Sequence, residues 1–336
     1  MHLKYLITGG SGFIGTALVK SLIDKYKSTV VNIDKLTYAA NELAFKDYAN
    51  NDKYIFYQTD ICDVEEISNI LTIEEPDKII HLAAESHVDR SIKSSSDFIQ
   101  TNIIGTYNLL EVSKKYFEGL EGKKKKLFTF HHVSTDEVFG DLEIEDPGFN
   151  ELTSYNPSSP YSASKASSDH LVRAWSRTYG LPIYITNCSN NYGPRQNQEK
   201  LIPTIINKLL NKKNIPIYGS GKQIRDWLYV YDHAEAIIKV SNSGFIGHTF
   251  NIGGNAERTN LEVVKAIWDV LKNDLNHPCT DGRYFEDIIE HVTDRPGHDL
   301  RYAIDPAKIL NKLSWKPSET FESGFKKTIE WYINNS

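Results

Sequence analysis

The chain has 336 residues, 40% of them hydrophobic and 24% charged, which excludes a disordered or fibrous protein and suggests roughly two domains or one large domain with an attached lobe. A formal net charge of -6 argues for solubility and against a general nucleic-acid or membrane surface. The cysteines Cys62, Cys188 and Cys279 are far apart and form no CxxC pattern, so neither a disulfide framework nor a metal site is indicated, and a reducing cytoplasm fits.

The N-terminus runs from Met1 almost directly into a strand-like Tyr5-Leu6-Ile7, leaving no room for a signal peptide's apolar core, and no apolar stretch approaches a bilayer span. Gly9-x-x-Gly12-x-x-Gly15 follows as a tight turn, with Thr16 to Ile23 as a helix. Glycines so spaced let the backbone approach a pyrophosphate while the helix N-terminus offers unpaired N–H groups and a positive dipole. A second strand, Thr29 to Ile33, ends at Asp34, about twenty residues beyond the turn. A carboxylate there would accept from a ribose 2′-hydroxyl and repel a 2′-phosphate, which favours NAD over NADP.

Strand-helix alternation continues through Tyr54 to Gln58, Val64 to Ile73 and Lys78 to His81, the pattern of an α/β, doubly wound parallel sheet. Asp60-Ile61 and Leu82-Ala83-Ala84 follow strands, and would face the adenine and the nicotinamide-side ribose. Glu85 to Arg90 is rich in ionisable groups and reads equally as an exposed capping segment. A long helix from Ser95 to Tyr116 is apolar on more than one stripe, which suits packing on the sheet and on a second subunit at once. The basic run Lys123 to Lys126 reads as a solvated turn.

The next strand, Lys126 to Val133, delivers Ser134-Thr135-Asp136-Glu137 to its C-terminal end, where such sheets bind ligands. A hydroxyl and two adjacent carboxylates at that rim suggest proton chemistry on a bound small molecule, although a lone Asp-Glu pair could also begin a solvated loop. Pro157 to Pro160 then break the chain, and Tyr161 to Tyr179 forms a helix in which Tyr161 and Lys165 share a face. A nearby ammonium and an oxidised nicotinamide both favour the phenolate, so the couple can take a proton from an alcohol while hydride leaves the same carbon.

The glycine turn, Asp34, Ser134-Thr135 and Tyr161-x-x-x-Lys165 resemble the extended short-chain dehydrogenase/reductase family. Thr135-Asp136-Glu137, with Ala83 to Ser91 and Asn187 to Pro194, is similar to its branch of 4,6-dehydratases acting on dTDP-glucose. The likeness runs from about Lys4 to Tyr332, and the acid pair is its specific part, since epimerising relatives usually lack it. It implies a Rossmann sheet with a smaller C-terminal substrate-binding lobe, NAD as cofactor, and dTDP-glucose or a related nucleotide sugar as substrate. It also implies a cycle: Tyr161 takes the C4 hydroxyl proton with Thr135 on the oxygen, and Glu137 takes the C5 proton. Protonated Asp136 then donates to the departing C6 hydroxyl, and hydride returns to C6. For the cofactor the resemblance implies Gly9, Gly12, Phe13, Ile14, Gly15, Asp34, Lys35, Thr37, Asp60, Ile61, Leu82, Ala83, Ala84, Ser86, Thr101, Tyr161, Lys165 and Asn191. For the substrate it implies Ser86, Thr135, Asn190, Lys200, Leu201, Pro216, Tyr218, Arg225, Asn260, Arg295 and His298. Arg225 is expected on a phosphate, whose geometry its planar fork suits.

Beyond Pro182 to Thr186 the alternation fails, and Asn187 to Gly193 reads as a polar loop. Trp227 to Tyr231, Asp232 to Val240 and His248 to Ile252 read as core elements of the sheet, and Phe321 to Ile333 as a final amphipathic helix packed back on the first domain. The expected division is 1–187 with 226–252 and 314–336 as the NAD-binding domain, and 188–225 with 253–313 as the nucleotide-sugar lobe. Two places depart from the family pattern near the expected sugar pocket: Phe139, where a tyrosine is common, and Arg195-Gln196-Asn197-Gln198. A homodimer through the helices at 95–116 and 159–179 is expected. Dehydration of another nucleotide sugar such as UDP-glucose, 4-epimerisation and a silent NAD-binding scaffold remain as alternative readings.

Overall fold

A computed structural model of the chain describes residues 3–41, 46–294 and 297–335. Its strands are β1 (Lys4–Thr8), β2 (Thr29–Asp34), β3 (Tyr54–Gln58), β4 (Lys78–His81), β5 (Thr129–Thr135), β6 (Ile183–Cys188), β7 (Asn190–Tyr192), β8 (Ile215–Tyr218), β9 (Ile224–Tyr229), β10 (Thr249–Ile252), β11 (Glu257–Thr259) and β12 (Ile289–Val292). A seven-stranded sheet has the order β10-β6-β5-β4-β1-β2-β3, with every pair parallel. The chain runs outward from β1 to β3, then restarts at β4 on the other side, so the order reverses between β1 and β4 and opens a crevice there. The doubly wound sheet expected from the alternation is present.

Successive strand residues point to opposite faces, and here both faces are covered. Leu6, Val31, Ile79 and Phe130 pack with Ile70, Leu110 and Val172 on one side. Ile7, Val30 and Ile80 pack with Leu18, Leu22 and Ile237 on the other. Each aliphatic side chain so withdrawn from water stabilises the fold by about 1.5–3 kcal/mol.

Register positions the chemistry. Pairing of β4 with β5 ends at His81 and His132, whereas β5 stays paired with β6 through Ser134 with Asn187 and Thr135 with Cys188. Ser134 and Thr135 therefore run past the end of β4 into the crevice.

Several expectations need correction. The first helix starts at Phe13 rather than Thr16, because Gly12 serves as its N-cap, so Gly15 lies inside the first turn. A Cβ on Gly15 would meet Gly9 O at 2.2 Å, so helix and turn touch where only hydrogen fits. The basic run is not a turn but part of the short exposed helix Gly122–Leu127, lysine being a good helix former. Nor is Asn187 to Gly193 wholly a loop: Asn187 and Cys188 finish β6, and β7 pairs in parallel with β9. Trp227 to Tyr229 fall in β9, which joins a separate three-stranded sheet ordered β11-β9-β7, and a helix already begins at Val230.

The second lobe packs helices Leu201–Leu210 and Asn260–Asp269 around Ile206, Trp227, Val263, Ile267 and Trp268. The terminal helix, Phe321–Asn334, starts from a Thr320/Ser323 capping box and belongs to this core rather than to the first domain. Phe321, Phe325 and Ile329 recur every fourth residue as an apolar stripe, and the Tyr192 ring lies 5.4 Å from that of Phe325. The stripe was legible in the sequence, but its partner was not, because a stripe carries no address.

Candidate active site

One cleft at the crevice collects the glycine turn and the rim of β5. It is lined by Gly9, Gly12, Phe13, Ile14, Gly15, Asp34, Lys35, Thr37, Asp60, Ile61, Leu82, Ala83, Ala84, Ser86 and Thr101 at one end. Thr135, Asp136, Glu137, Tyr161, Lys165, Asn190, Asn191 and Lys200 line the other.

The first end fits a dinucleotide. Gly9 has φ +74°, and a Cβ there would meet Ala83 N at 2.6 Å, which brings the turn against the residues after β4. Gly12 has only Gly9 O near its missing Cβ, at 3.3 Å, so a phosphate can approach its backbone. No side chain caps the helix that follows, which leaves its leading N–H groups for an anion. Asp34 accepts from Ser11 N at 3.0 Å and Leu36 N at 2.9 Å, which fixes its carboxylate at the end of β2. Lys35 Nζ lies 3.2 Å from Thr101 Oγ1 and 3.5 Å from Asp60 Oδ2.

At the other end the two acids occupy unlike surroundings. Thr135 caps the short turn Asp136–Phe139 by accepting from Glu137 N, and its hydroxyl donates to Asp136 Oδ1 at 3.2 Å. The turn rotates Asp136 inward, where it is 2% exposed, and leaves Glu137 half-buried. Burial first, then the charges of Glu137 and Asp226, hold the Asp136 carboxyl well above the usual carboxylate range, against opposing pulls from Thr135 and Arg225. Burial and like charge therefore favour the protonated form of Asp136. Its Oδ2, with Ser134 Oγ and Asn190 Oδ1, has no hydrogen-bond partner among the described residues, so polar atoms buried in this wall suit a hydroxyl-rich ligand.

Tyr161 and Lys165 do share a buried face on the helix Pro160–Tyr179. The expectation that the ammonium eases ionisation of the phenol meets a different geometry. Lys165 Nζ donates to Val133 O at 2.9 Å and lies 3.4 Å from His132 Nε2. Burial, then Glu137 and Cys188, push the Tyr161 phenol well above its ordinary value, and a hydrogen bond with Thr135 only partly offsets this. Burial likewise brings the Lys165 ammonium down to about 8, opposed by Asp169 and Cys188.

Some expected substrate residues lie elsewhere. Arg225 is 6% exposed and donates to Ile224 O at 2.7 Å and Asp299 O at 3.0 Å, with its guanidinium 4.2 Å from the centre of the Tyr302 ring. It stands in the wall behind the acid pair, outside the cleft lining. Leu201, Pro216, Tyr218, Asn260 and His298 are also outside that lining. In the second lobe, Asp294 accepts from Gln223 Nε2 at 2.9 Å and pairs with His298 Nδ1 at 2.6 Å, Asn260 Nδ2 reaches Gln223 Oε1 at 3.5 Å, and the Tyr218 ring stands edge-on to His298 at 6.4 Å. Arg295 lies outside the described residues.

The departures from the family pattern resolve differently. Phe139 is not in the cleft but in a satellite core, stacked on Phe149 at 5.1 Å and edge-on to Tyr155 at 5.2 Å, where a hydroxyl is not needed. Arg195 turns out to pair with Asp47 at 2.6 Å, while Gln196 and Asn197 line the cleft. The sequence places these two near the pocket without assigning them a contact, and sequence reasoning missed Tyr38, Cys188 and Ser189, among others of the lining. Tyr38 directly follows Thr37, and Cys188-Ser189 directly precede Asn190, so adjacency to assigned residues was the available signal. Arg90 lies 3.6 Å from the centre of the Tyr38 ring and pairs with Glu199 at 2.7 Å, so the Glu85 to Arg90 segment braces a residue of the cleft lining, while His87 leads into the helix Val88–Lys93 without a side-chain cap.

The family model described as GDP-mannose 4,6 dehydratase matches residues 6–328. The dTDP-glucose 4,6-dehydratase of Haemophilus influenzae is 54% identical over 334 residues, with 99% of each chain covered. The solved structure of dTDP-glucose 4,6-dehydratase from Bacillus anthracis in complex with NAD superposes with a TM-score of 0.87 at 40% identity, covering 99% of this chain and 97% of its own. The corresponding structure from Streptomyces venezuelae, also with NAD bound, gives a TM-score of 0.89 at 37% identity, covering 99% and 98%.

Proposed function

The chain belongs to the dTDP-glucose 4,6-dehydratase family, and from that premise we propose that it converts dTDP-glucose to dTDP-4-keto-6-deoxyglucose. The observation that carries this reading is the unlike setting of the adjacent acids, with Asp136 buried, where its protonated form is favoured, and Glu137 half-buried beside it. Elimination across C5 and C6 needs one group to take a proton and another to give one, and an epimerase has no use for such a pair.

The glycine turn, Asp34, Lys35, Thr37, Asp60, Ile61, Leu82 to Ala84, Ser86, Thr101 and Asn191 would hold NAD, which supplies a hydride acceptor at C4 and a donor at C6. Tyr161 would take the C4 hydroxyl proton as its phenolate, which the positive charge of a bound oxidised nicotinamide would favour against burial, with the Thr135 hydroxyl on the same oxygen. Lys165 lends positive charge to that end of the cleft. A carbonyl at C4 acidifies the C5 hydrogen, which Glu137 removes. Asp136 gives its proton to the departing C6 hydroxyl, and water leaves. Glu137 then returns a proton to C5, and the proton gained by Tyr161 balances the one given up by Asp136, so exchange between them restores the starting states. Ser86, Asn190 and Lys200 lie where the sugar and diphosphate would meet the cleft. The Tyr218, Asn260 and His298 cluster, with Leu201, Pro216 and Arg295, takes the nucleotide, and Arg225 supports the wall between.

Incubation with dTDP-glucose in deuterated water tests the reading. The expected product has lost one water and carries deuterium at C5. A product of unchanged mass without deuterium would point to epimerisation and overturn it.

We also propose a homodimer. Ile99, Ile104 and Tyr107, and Tyr179 of the neighbouring helix, are 40–46% exposed and supply an apolar face. Sedimentation should give twice the chain mass, and a monomer at assay concentration would refute the pairing. The cytoplasm, where the unpaired Cys62, Cys188 and Cys279 stay reduced, is the compartment this chemistry suits.

A further inference from the structure

A buried polar chain runs from Lys165 away from the cleft. His132 Nε2, 3.4 Å from Lys165 Nζ, is also 3.1 Å from Asp169 Oδ1. Asp169 Oδ2 accepts from Tyr155 OH at 2.6 Å and from Asn187 Nδ2 at 3.2 Å. Asn187 Nδ2 also reaches Thr135 O at 3.0 Å, and Arg173 Nη2 donates to Tyr155 OH at 2.7 Å. His132, Asp169 and Asn187 are 0% exposed and Lys165 is 4% exposed, so water cannot compensate the charges.

A buried ammonium without a counter-charge loses its proton. The groups facing Lys165 are His132 on β5, His81 on β4, Cys188 at the end of β6 and Asp169 on its own helix. Burial pushes the Cys188 thiol up, and holds His81 well below and His132 down at about 4, so these groups are neutral at physiological pH. Asp169 differs. Burial raises its carboxyl, but the close contact with His132, the charge of Lys165 and the Tyr155 hydroxyl outweigh burial and hold it below the usual range. Arg173 faces His132 from the outer side of the chain. The shared nitrogen of His132 can donate to the carboxylate or accept from the ammonium but not both, so the neutral imidazole fills the space between the two charges while the Asp169 charge acts on Lys165 through that buried space.

We propose that Asp169 is the buried counter-ion that keeps Lys165 charged and fixed in the cleft wall, with the neutral His132 packed between them, which makes Asp169 a positioning residue for the reaction. This rests on the role given to Lys165 above, and turnover of dTDP-glucose by the parent enzyme tests that reading separately.

The test is the pH profile of kcat. Lys165 acts protonated, so activity falls as pH rises through its value of about 8. Removing the negative charge lowers that value, and the alkaline limb of Asp169→Asn is expected to move down by about one pH unit, with KM little changed. Tyr155→Phe removes a hydrogen bond to Asp169 but no charge, and should leave the limb in place. A limb in Asp169→Asn that coincides with the parent's, or an equal shift in Tyr155→Phe, overturns the proposal. Should Asp169→Asn fail to fold, Asp169→Glu decides: it keeps the charge, so the limb is expected to stay with the parent's, and a limb lowered by about one pH unit overturns the proposal.

Discussion

Glu137→Gln is expected to slow water loss by about 10²–10⁴-fold, the usual contribution of a general base, while oxidation at C4 continues. The amide matches the carboxylate in shape but cannot take the C5 proton. Asp136 is a poor substitute, because burial, with the charge of Asp226, still holds that carboxyl above the usual range after the Glu137 charge is gone. The variant should even find the first step easier, since the Glu137 charge is, after burial, the largest influence raising the Tyr161 phenol. Mixed with dTDP-glucose in deuterated water, Glu137→Gln should develop reduced-nicotinamide absorbance that persists, with no deuterium entering C5. Dehydration at the parent rate would show that the base is another residue.

Tyr161→Phe should fail one step earlier, with kcat reduced by about 10²–10⁴-fold and no reduced nicotinamide formed. The fold should hold, because the ring stays edge-on to Phe98 at 6.3 Å and only the hydroxyl is lost. Substrate affinity should change little, since the nucleotide cluster is elsewhere. Rapid-mixing absorbance separates the two variants: reduced cofactor builds up in Glu137→Gln and is absent from Tyr161→Phe. Formation of reduced cofactor by Tyr161→Phe at the parent rate would remove Tyr161 from the role of base.

Much of the first domain was legible because its signals are local. A glycine spacing, an acid at a strand end and a Tyr-Lys pair four residues apart each report their geometry within a few residues of chain. All the expected cofactor-lining positions fall in one cleft for that reason. The second lobe was less legible. Trp227 to Tyr229 form a strand whichever sheet they join, and the choice depends on their pairing with Asn190 to Tyr192 and on Ile224 to Asp226, just before them, pairing with Glu257 to Thr259, both partners being far away in sequence. Arg225 illustrates the same limit, since its guanidinium is engaged by carbonyls some seventy-five residues on.

The acids show the division most plainly. The sequence by itself determined that Asp136 and Glu137 are adjacent, follow a buried strand and share a rim with Thr135, because strand period and strand-end position are short-range properties of the chain. Their division of labour was decided by the tertiary structure. The turn carries Asp136 into the wall beside Asp226, leaves Glu137 half-buried, and so raises the Asp136 carboxyl by burial and like charge. Desolvation depends on what surrounds a group in space, and the residues that surround Asp136 come from both lobes.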